Sequence, residues 1–216
     1  MTCKKIIPAF GCRNGRPVIL GQKRDCFDDD ILSLSRFYSD AGADEILILD
    51  LSLTDEDHEQ TILMIKEAAR VIDIPILAGG RIKRLEDIKK YLYAGAKAVL
   101  LNVSDEDNID LIKEGADRFG SEKIYGYVSD PSCLGRAEEF GQLGASMLIL
   151  DCFEALGEPL LPDHVLSGLS GCDMPVLTFC SRDCPEALAS LLQIPLTEGV
   201  ILTSPGNRER SFMELK

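Results

Sequence analysis

The stretch Gly42-Ala43-Asp44-Glu45-Ile46-Leu47-Ile48-Leu49-Asp50 returns later in the chain as Gly144-Ala145-Ser146-Met147-Leu148-Ile149-Leu150-Asp151. Each copy is a Gly-Ala turn, a short unbroken apolar run and a closing aspartate. Apolar runs of this length without alternation suit a strand buried on both faces, as in a parallel sheet covered by helices. The closing aspartates Asp50 and Asp151 lie 101 residues apart. Ile74-Pro75-Ile76-Leu77 is echoed by Met174-Pro175-Val176-Leu177 at a spacing of 100. Ala98-Val99-Leu100-Leu101-Asn102 is echoed by Gly199-Val200-Ile201-Leu202-Thr203 at 101. Three echoes at nearly one spacing indicate a duplicated half.

Outward from these runs, strands and helices alternate. Strands are expected over Lys4 to Phe10, Glu45 to Asp50, Ile74 to Leu77, Ala98 to Asn102, Lys123 to Val128, Met147 to Asp151, Pro175 to Phe179 and Gly199 to Leu202. Gly11 to Arg16 reads as a glycine-rich turn, and Asp28-Asp29-Asp30 supplies acidic N-cap chemistry for a helix to about Ala41. Further helices are expected over His58 to Ile72, Leu85 to Ala94, Asn108 to Phe119, Ala137 to Leu143, near His164 to Leu169, and over Pro185 to Leu192. Eight strands alternating with helices in two similar halves point to a closed (β/α)8 barrel with a shortened second half. The chain reads as one domain over residues 1–216, with half-barrels at about 1–121 and 122–216. An open doubly wound sheet is the alternative, but it leaves the repeat unexplained.

The 216 residues suffice for one sizeable core, and a net charge of −13 argues against nucleic acid or an anionic membrane surface as partner. No apolar segment reaches the length of a membrane span and no leader peptide is expected, which reads as a cytoplasmic protein. The eight cysteines lack the loop-rich framework of a small secreted scaffold, so disulfides are not expected.

Several segments together resemble the cyclase subunit of imidazole glycerol phosphate synthase. They are Lys4-Lys5-Ile6-Ile7-Pro8, Asn14-Gly15-Arg16, Arg36-Phe37-Tyr38-Ser39, Gly42 to Asp50, Ile74 to Gly80, Ala94-Gly95-Ala96 and Arg118-Phe119-Gly120-Ser121. The similarity runs from residue 4 to about residue 128. It implies a duplicated-half barrel of histidine biosynthesis that binds a substrate with a phosphate at each end, and a lyase-type ring closure worked by two aspartates. Those acids fall on Gly11 and Ser129 here, and a lysine of the first loop falls on Ile19. The remaining candidate carboxylates are Asp130, beside Ser129, and Asp50, which matches a family active-site position. Adjacent strand residues face opposite ways, so Asp130 would need a bulge to re-aim it.

Phosphate binding needs close backbone approach and N–H groups near a helix start. Gly79-Gly80-Arg81 meets that need, and Asn102-Val103-Ser104 matches the family's partner segment, so Gly79, Gly80, Arg81, Asn102 and Ser104 are the expected half-site for a small phosphorylated molecule. The second-half equivalent of Ala78-Gly79-Gly80 is Thr178-Phe179-Cys180, where a phenylalanine blocks the approach. Thr203-Ser204-Pro205-Gly206 keeps hydroxyls but loses one N–H at Pro205.

The resemblance also implies a glutaminase-type partner on the opposite face, served by a ring of four charges; these positions read Lys5, Glu45, Ala98 and Met147. A non-catalytic scaffold that pairs with such a partner or with itself is one alternative. A repurposed thiol or metal site is another: Cys12, Cys133, Cys152, Cys180 and Cys184 all follow strand ends, with Cys26 on the same face. Cys12, Cys152, Cys180 and Cys184 are the weak candidates, no CxxC is present, and no cofactor is expected. His58 and His164 read as solvated helix residues.

Overall fold

The structure, a computed structural model, describes residues 4–20, 29–151, 173–180 and 192–203. Strand β1 (Lys5–Arg13) runs three residues past its expected end. Asn14 and Gly15 adopt φ values of 50° and 68°, the two left-handed positions of a tight hairpin, and return the chain as β2 (Arg16–Val18). Arg13 then pairs with Arg16 and Gly11 with Val18. The Asn-Gly pair was the available signal for this hairpin.

Seven further strands follow in parallel: β3 (Ile46–Asp50), β4 (Ile76–Gly79), β5 (Ala96–Asn102), β6 (Ile124–Val128), β7 (Met147–Leu150), β8 (Val176–Cys180) and β9 (Thr197–Leu202). Each pairs with its neighbour in chain order, and β9 pairs with β1 through Lys5–Gly199 to Pro8–Leu202. That last pairing closes the sheet, so the chain is a (β/α)8 barrel and the open-sheet alternative is excluded.

The duplication is also visible in the ladder. Ile76 and Leu77 pair with Ala96 and Ala98, so Lys97 is an extra residue on β5. Val176 and Leu177 pair with Thr197 and Gly199, so Glu198 is an extra residue on β9. A bulge of this kind bends the strand and re-aims side chains. It recurs at the spacing of the sequence echoes. The two Gly-Ala turns match as well: Ala43 N donates to Tyr38 O and Ala145 N to Phe140 O, each at 3.0 Å.

The described helices are α1 (Ile31–Asp40), α2 (Asp55–Ala68), α3 (Leu85–Tyr93), α4 (Asp107–Phe119) and α5 (Ala137–Leu143). Asp30 caps α1, accepting from Ser33 N at 2.8 Å, and Thr54 caps α2, accepting from Asp57 N at 3.2 Å. Each such cap contributes about 1 kcal/mol. The expected helix near His164, and all but the last residue of the one expected over Pro185 to Leu192, lie outside the described residues. Among the described residues no helix is long and apolar enough to cross a membrane.

Because strand side chains alternate, the barrel makes two apolar layers. Ile7, Ala9, Leu47, Leu77, Leu100, Ile149 and Phe179 pack inside the barrel. Phe10, Ile48, Val99, Leu101, Tyr91 and Ile112 pack between strands and helices. Each fully buried Leu, Ile or Phe contributes roughly 1.5–3 kcal/mol, so these layers dominate the stability. They also decide which polar residue reaches the mouth and which is turned toward the helices.

Candidate functional site

A cavity of about 330 Å³ opens at the C-terminal ends of β4 and β5. Its β4 side is built by Gly80 and Arg81. Gly80 has φ +89° and packs so tightly on β3 that a methyl group would overlap the Asp50 carbonyl. Arg81 is also left-handed, φ 50°. Its guanidinium pins the loop, with Nη1 donating to Ser52 O at 3.0 Å and Nη2 to Asp55 Oδ1 at 2.5 Å. Lys83 follows on the rim, and its backbone N–H donates to Asp87 Oδ2 at 3.1 Å, fastening the loop to α3.

Asn102 ends β5 and forms the other side. Its Oδ1 accepts from Ser104 N at 3.0 Å and lies 3.2 Å from the Ser129 hydroxyl. Its carbonyl accepts from Asn108 Nδ2 at 3.1 Å. With Oδ1 used as an acceptor, the amide nitrogen is the group Asn102 has to offer a ligand. Ser129 Oγ is also 3.2 Å from Ser104 Oγ, and the Cys133 thiol approaches Ser104 Oγ at 3.7 Å. The structure thus brings Gly80, Arg81 and Asn102 to one cavity, with Gly79 at the end of β4 and Ser104 bridged through Ser129 at the edge.

The candidate carboxylates stand elsewhere. Gly11 belongs to the inward-facing series of β1, and a side chain there would meet Leu51 Cδ1 at 2.5 Å and Val18 Cγ2 at 2.8 Å. Apolar side chains fill the space an acid would need. Asp130 is exposed and caps the turn Pro131–Arg136, accepting from Ser132 N at 2.9 Å. Those hydrogen bonds favour its charged form and hold its carboxyl below the usual range.

Asp50 faces the helices and is 2% exposed. Its Oδ1 accepts from Ser52 N at 2.9 Å; its Oδ2 lies 2.5 Å from His58 Nδ1 and 3.0 Å from the Tyr91 hydroxyl. Tyr91 OH is also 2.8 Å from the Gly80 carbonyl. This network braces the loops after β3 and β4 from beneath the cavity. Burial, with the Asp50 charge, pushes the Tyr91 phenol far up, so it remains a donor. His58, read as solvated, is buried. Its spacing on α2 with Thr61, Ile65 and Ala68, all on the inner face, was the signal that would have found it.

Of the cysteines, Cys12 and Cys180 lie in the layer between barrel and helices. Thr61 Oγ1 donates to Cys12 Sγ at 3.2 Å, and burial raises the thiol's pKa from its ordinary 9.0. Cys26, Cys152, Cys184 and His164 lie outside the described residues. Among the described residues no group of three His, Cys, Asp or Glu side chains is placed to hold a metal.

At the opposite end, Glu45 Oε1 accepts from Lys5 Nζ at 2.8 Å and from Lys97 Nζ at 2.6 Å. Lys97 is the bulged residue of β5, which is how a cation beside Ala98 reaches the barrel floor. The resemblance placed Lys5 and Glu45 at this ring, and nothing in the sequence pointed to Lys97 as their third member.

A closed barrel with its polar groups gathered at the C-terminal strand ends belongs to the (β/α)8 class, whose chemistry sits on that face. Within that class, residues 5–129, more than half of the chain, match the family described as histidine biosynthesis protein, and the chain belongs to that family. Similar curated proteins include the imidazole glycerol phosphate synthase subunit HisF of Halalkalibacterium halodurans, 42% identical over 125 residues, covering 57% of this chain and 50% of that protein. The subunit HisF of Methanocaldococcus jannaschii is 37% identical over 128 residues, covering 57% and 46%. The chain thus spans about half the length of the curated relatives it matches.

Proposed function

We propose that this barrel binds one small phosphorylated molecule at the mouth formed by Gly79, Gly80, Arg81, Asn102 and Ser104. It does so without the ring closure of the cyclase it resembles. The observation that carries this reading is the meeting of the left-handed Gly80 and Arg81 backbone and Asn102 in one cavity of about 330 Å³. Close backbone approach with a fixed cation is what an anion needs. The absence of ring closure is supported by Gly11, whose side-chain space is filled by Leu51 and Val18. In this reading Asp50 braces the phosphate loop and Asp130 caps a turn, and neither moves a proton on the ligand.

Calorimetric titration with inorganic phosphate tests the binding. The full chain should bind, and Arg81→Ala should weaken binding about tenfold or more, since charge-assisted bonds are among the strong ones. No binding would end the reading. Turnover of the cyclase substrate with external ammonia should be absent, and turnover abolished by Asp130→Asn would contradict it.

A second reading, a glutaminase-type partner or a second copy docked on the far face, is favoured by one feature. The Lys5–Glu45–Lys97 cluster keeps the floor charged, with side-chain exposures of 29% and 36% for the lysines. Co-purification of such a partner supports it, and a lone monomer on a sizing column opposes it.

A further inference from the structure

The cavity has polar groups on both sides, with Asn102, Asp105 and Asn108 following β5, but its positive charge lies on one side. Among the described residues its two cations, Arg81 and Lys83, come from the single loop after β4. Across from them stands Asp105, whose carboxylate opposes a second anion. The inner wall is Leu49, Leu51, Leu100 and the Tyr127 ring. These side chains belong to the barrel's interior layer, with Leu51 occupying the space in front of Gly11. The Tyr127 ring is fixed edge-on against Phe179, with centroids 6.1 Å apart and planes at 83°, and its hydroxyl donates to Asp151. A preordered aromatic ring beside three leucines, with the cations on the loop after β4, separates the two ends of whatever enters.

We infer that the mouth takes a monophosphate ester of a small apolar, flat group, such as an aryl monophosphate, rather than a molecule with a phosphate at each end. The inference rests on the phosphate reading given above and names the body attached to that phosphate. A bare phosphate or a sugar phosphate leaves the leucines and the Tyr127 ring facing water or polar hydroxyls. An aryl group covers them and gains the transfer free energy of the area removed from water. Among the described residues, a second phosphate in this cavity would lie against leucines and Asp105, with no further cation to replace its hydration.

Calorimetry on the full chain with inorganic phosphate, phenyl phosphate, butyl phosphate and 1,4-butanediol bisphosphate is the test. Phenyl phosphate should bind about tenfold more tightly than inorganic phosphate, which corresponds to about 1.4 kcal/mol. The bisphosphate should bind no more tightly than butyl phosphate. Leu51→Asn should weaken phenyl phosphate by a larger factor than inorganic phosphate. Saturation-transfer NMR on the unaltered protein supplies a readout independent of any variant: the aryl protons should receive magnetisation from leucine methyls. Equal affinity for phenyl and inorganic phosphate, or a bisphosphate advantage of about tenfold, overturns the inference and leaves the phosphate reading standing. Failure of every phosphate to bind overturns both.

Discussion

Among the described residues, the two halves of the barrel share a frame and differ at the C-terminal ends of β4 and β8. On the first-half side β4 ends in Gly79 and Gly80, where a side chain at Gly79 would meet Leu100 Cβ at 2.8 Å. On the second-half side the matching strand β8 carries Phe179, 2% exposed and stacked edge-on against Tyr127. Hydrogen-bond ladder, bulge and Gly-Ala turn repeat across the two halves, yet at this position one half packs bare backbone against Leu100 and the other carries a ring. Duplication preserved what the sheet needs. The exchange of glycine for phenylalanine falls at the C-terminal strand ends.

The comparison can be broken most forcefully at Phe179. Phe179→Ala removes a fully packed ring and should cost about 3–5 kcal/mol in urea denaturation, with the first-half cavity still binding phosphate. Gly80→Ala comes next. It places a side chain at φ +89° against the Asp50 carbonyl, and should cost about 2–4 kcal/mol and abolish phosphate binding in the same calorimetric titration. Tyr91→Phe sharpens the comparison from below. It removes the hydroxyl beside Asp50 and the Gly80 carbonyl, leaves a buried carboxylate short of a donor, and should cost about 1–3 kcal/mol. It should also loosen the Arg81 loop, read as faster amide exchange at residues 80–82.

The smallest effect concerns pH. Cys12 and Tyr91 both have their pKa raised by burial, so their neutral forms stabilise the fold at neutral pH. That contribution is intact below the ordinary values of 9.0 and 10.0 and is lost as pH rises beyond them. The melting temperature should therefore fall on the alkaline side. Cys12 should resist alkylation at pH 8 in the folded chain and react once it is unfolded.

Much of this frame was legible in the residues. Unbroken apolar runs, Gly-Ala turns and the near-constant spacing gave eight strands and a closed barrel, because both faces of a barrel strand are buried and nothing else writes such runs so regularly. The tight turn after β4 was legible because Gly79-Gly80 sits between a strand and a helix. The braces were harder to read. Asp50, His58 and Tyr91 meet only when β3, α2 and α3 pack, and no local spacing encodes a contact between residues so far apart. Asp50 marks the limit, since the strand run announces it while its direction follows from the barrel's alternation. Lys97 was missed because its role depends on a bulge, which reverses the direction that strict alternation assigns.

The most direct test of the central claim is an amide-resolved NMR titration of the full chain with inorganic phosphate. Saturable shifts should centre on Gly80, Arg81, Asn102 and Ser104, with Thr178 to Cys180 unmoved. Shifts centred on residues 176–180, or a spectrum unchanged at saturating phosphate, would contradict the account.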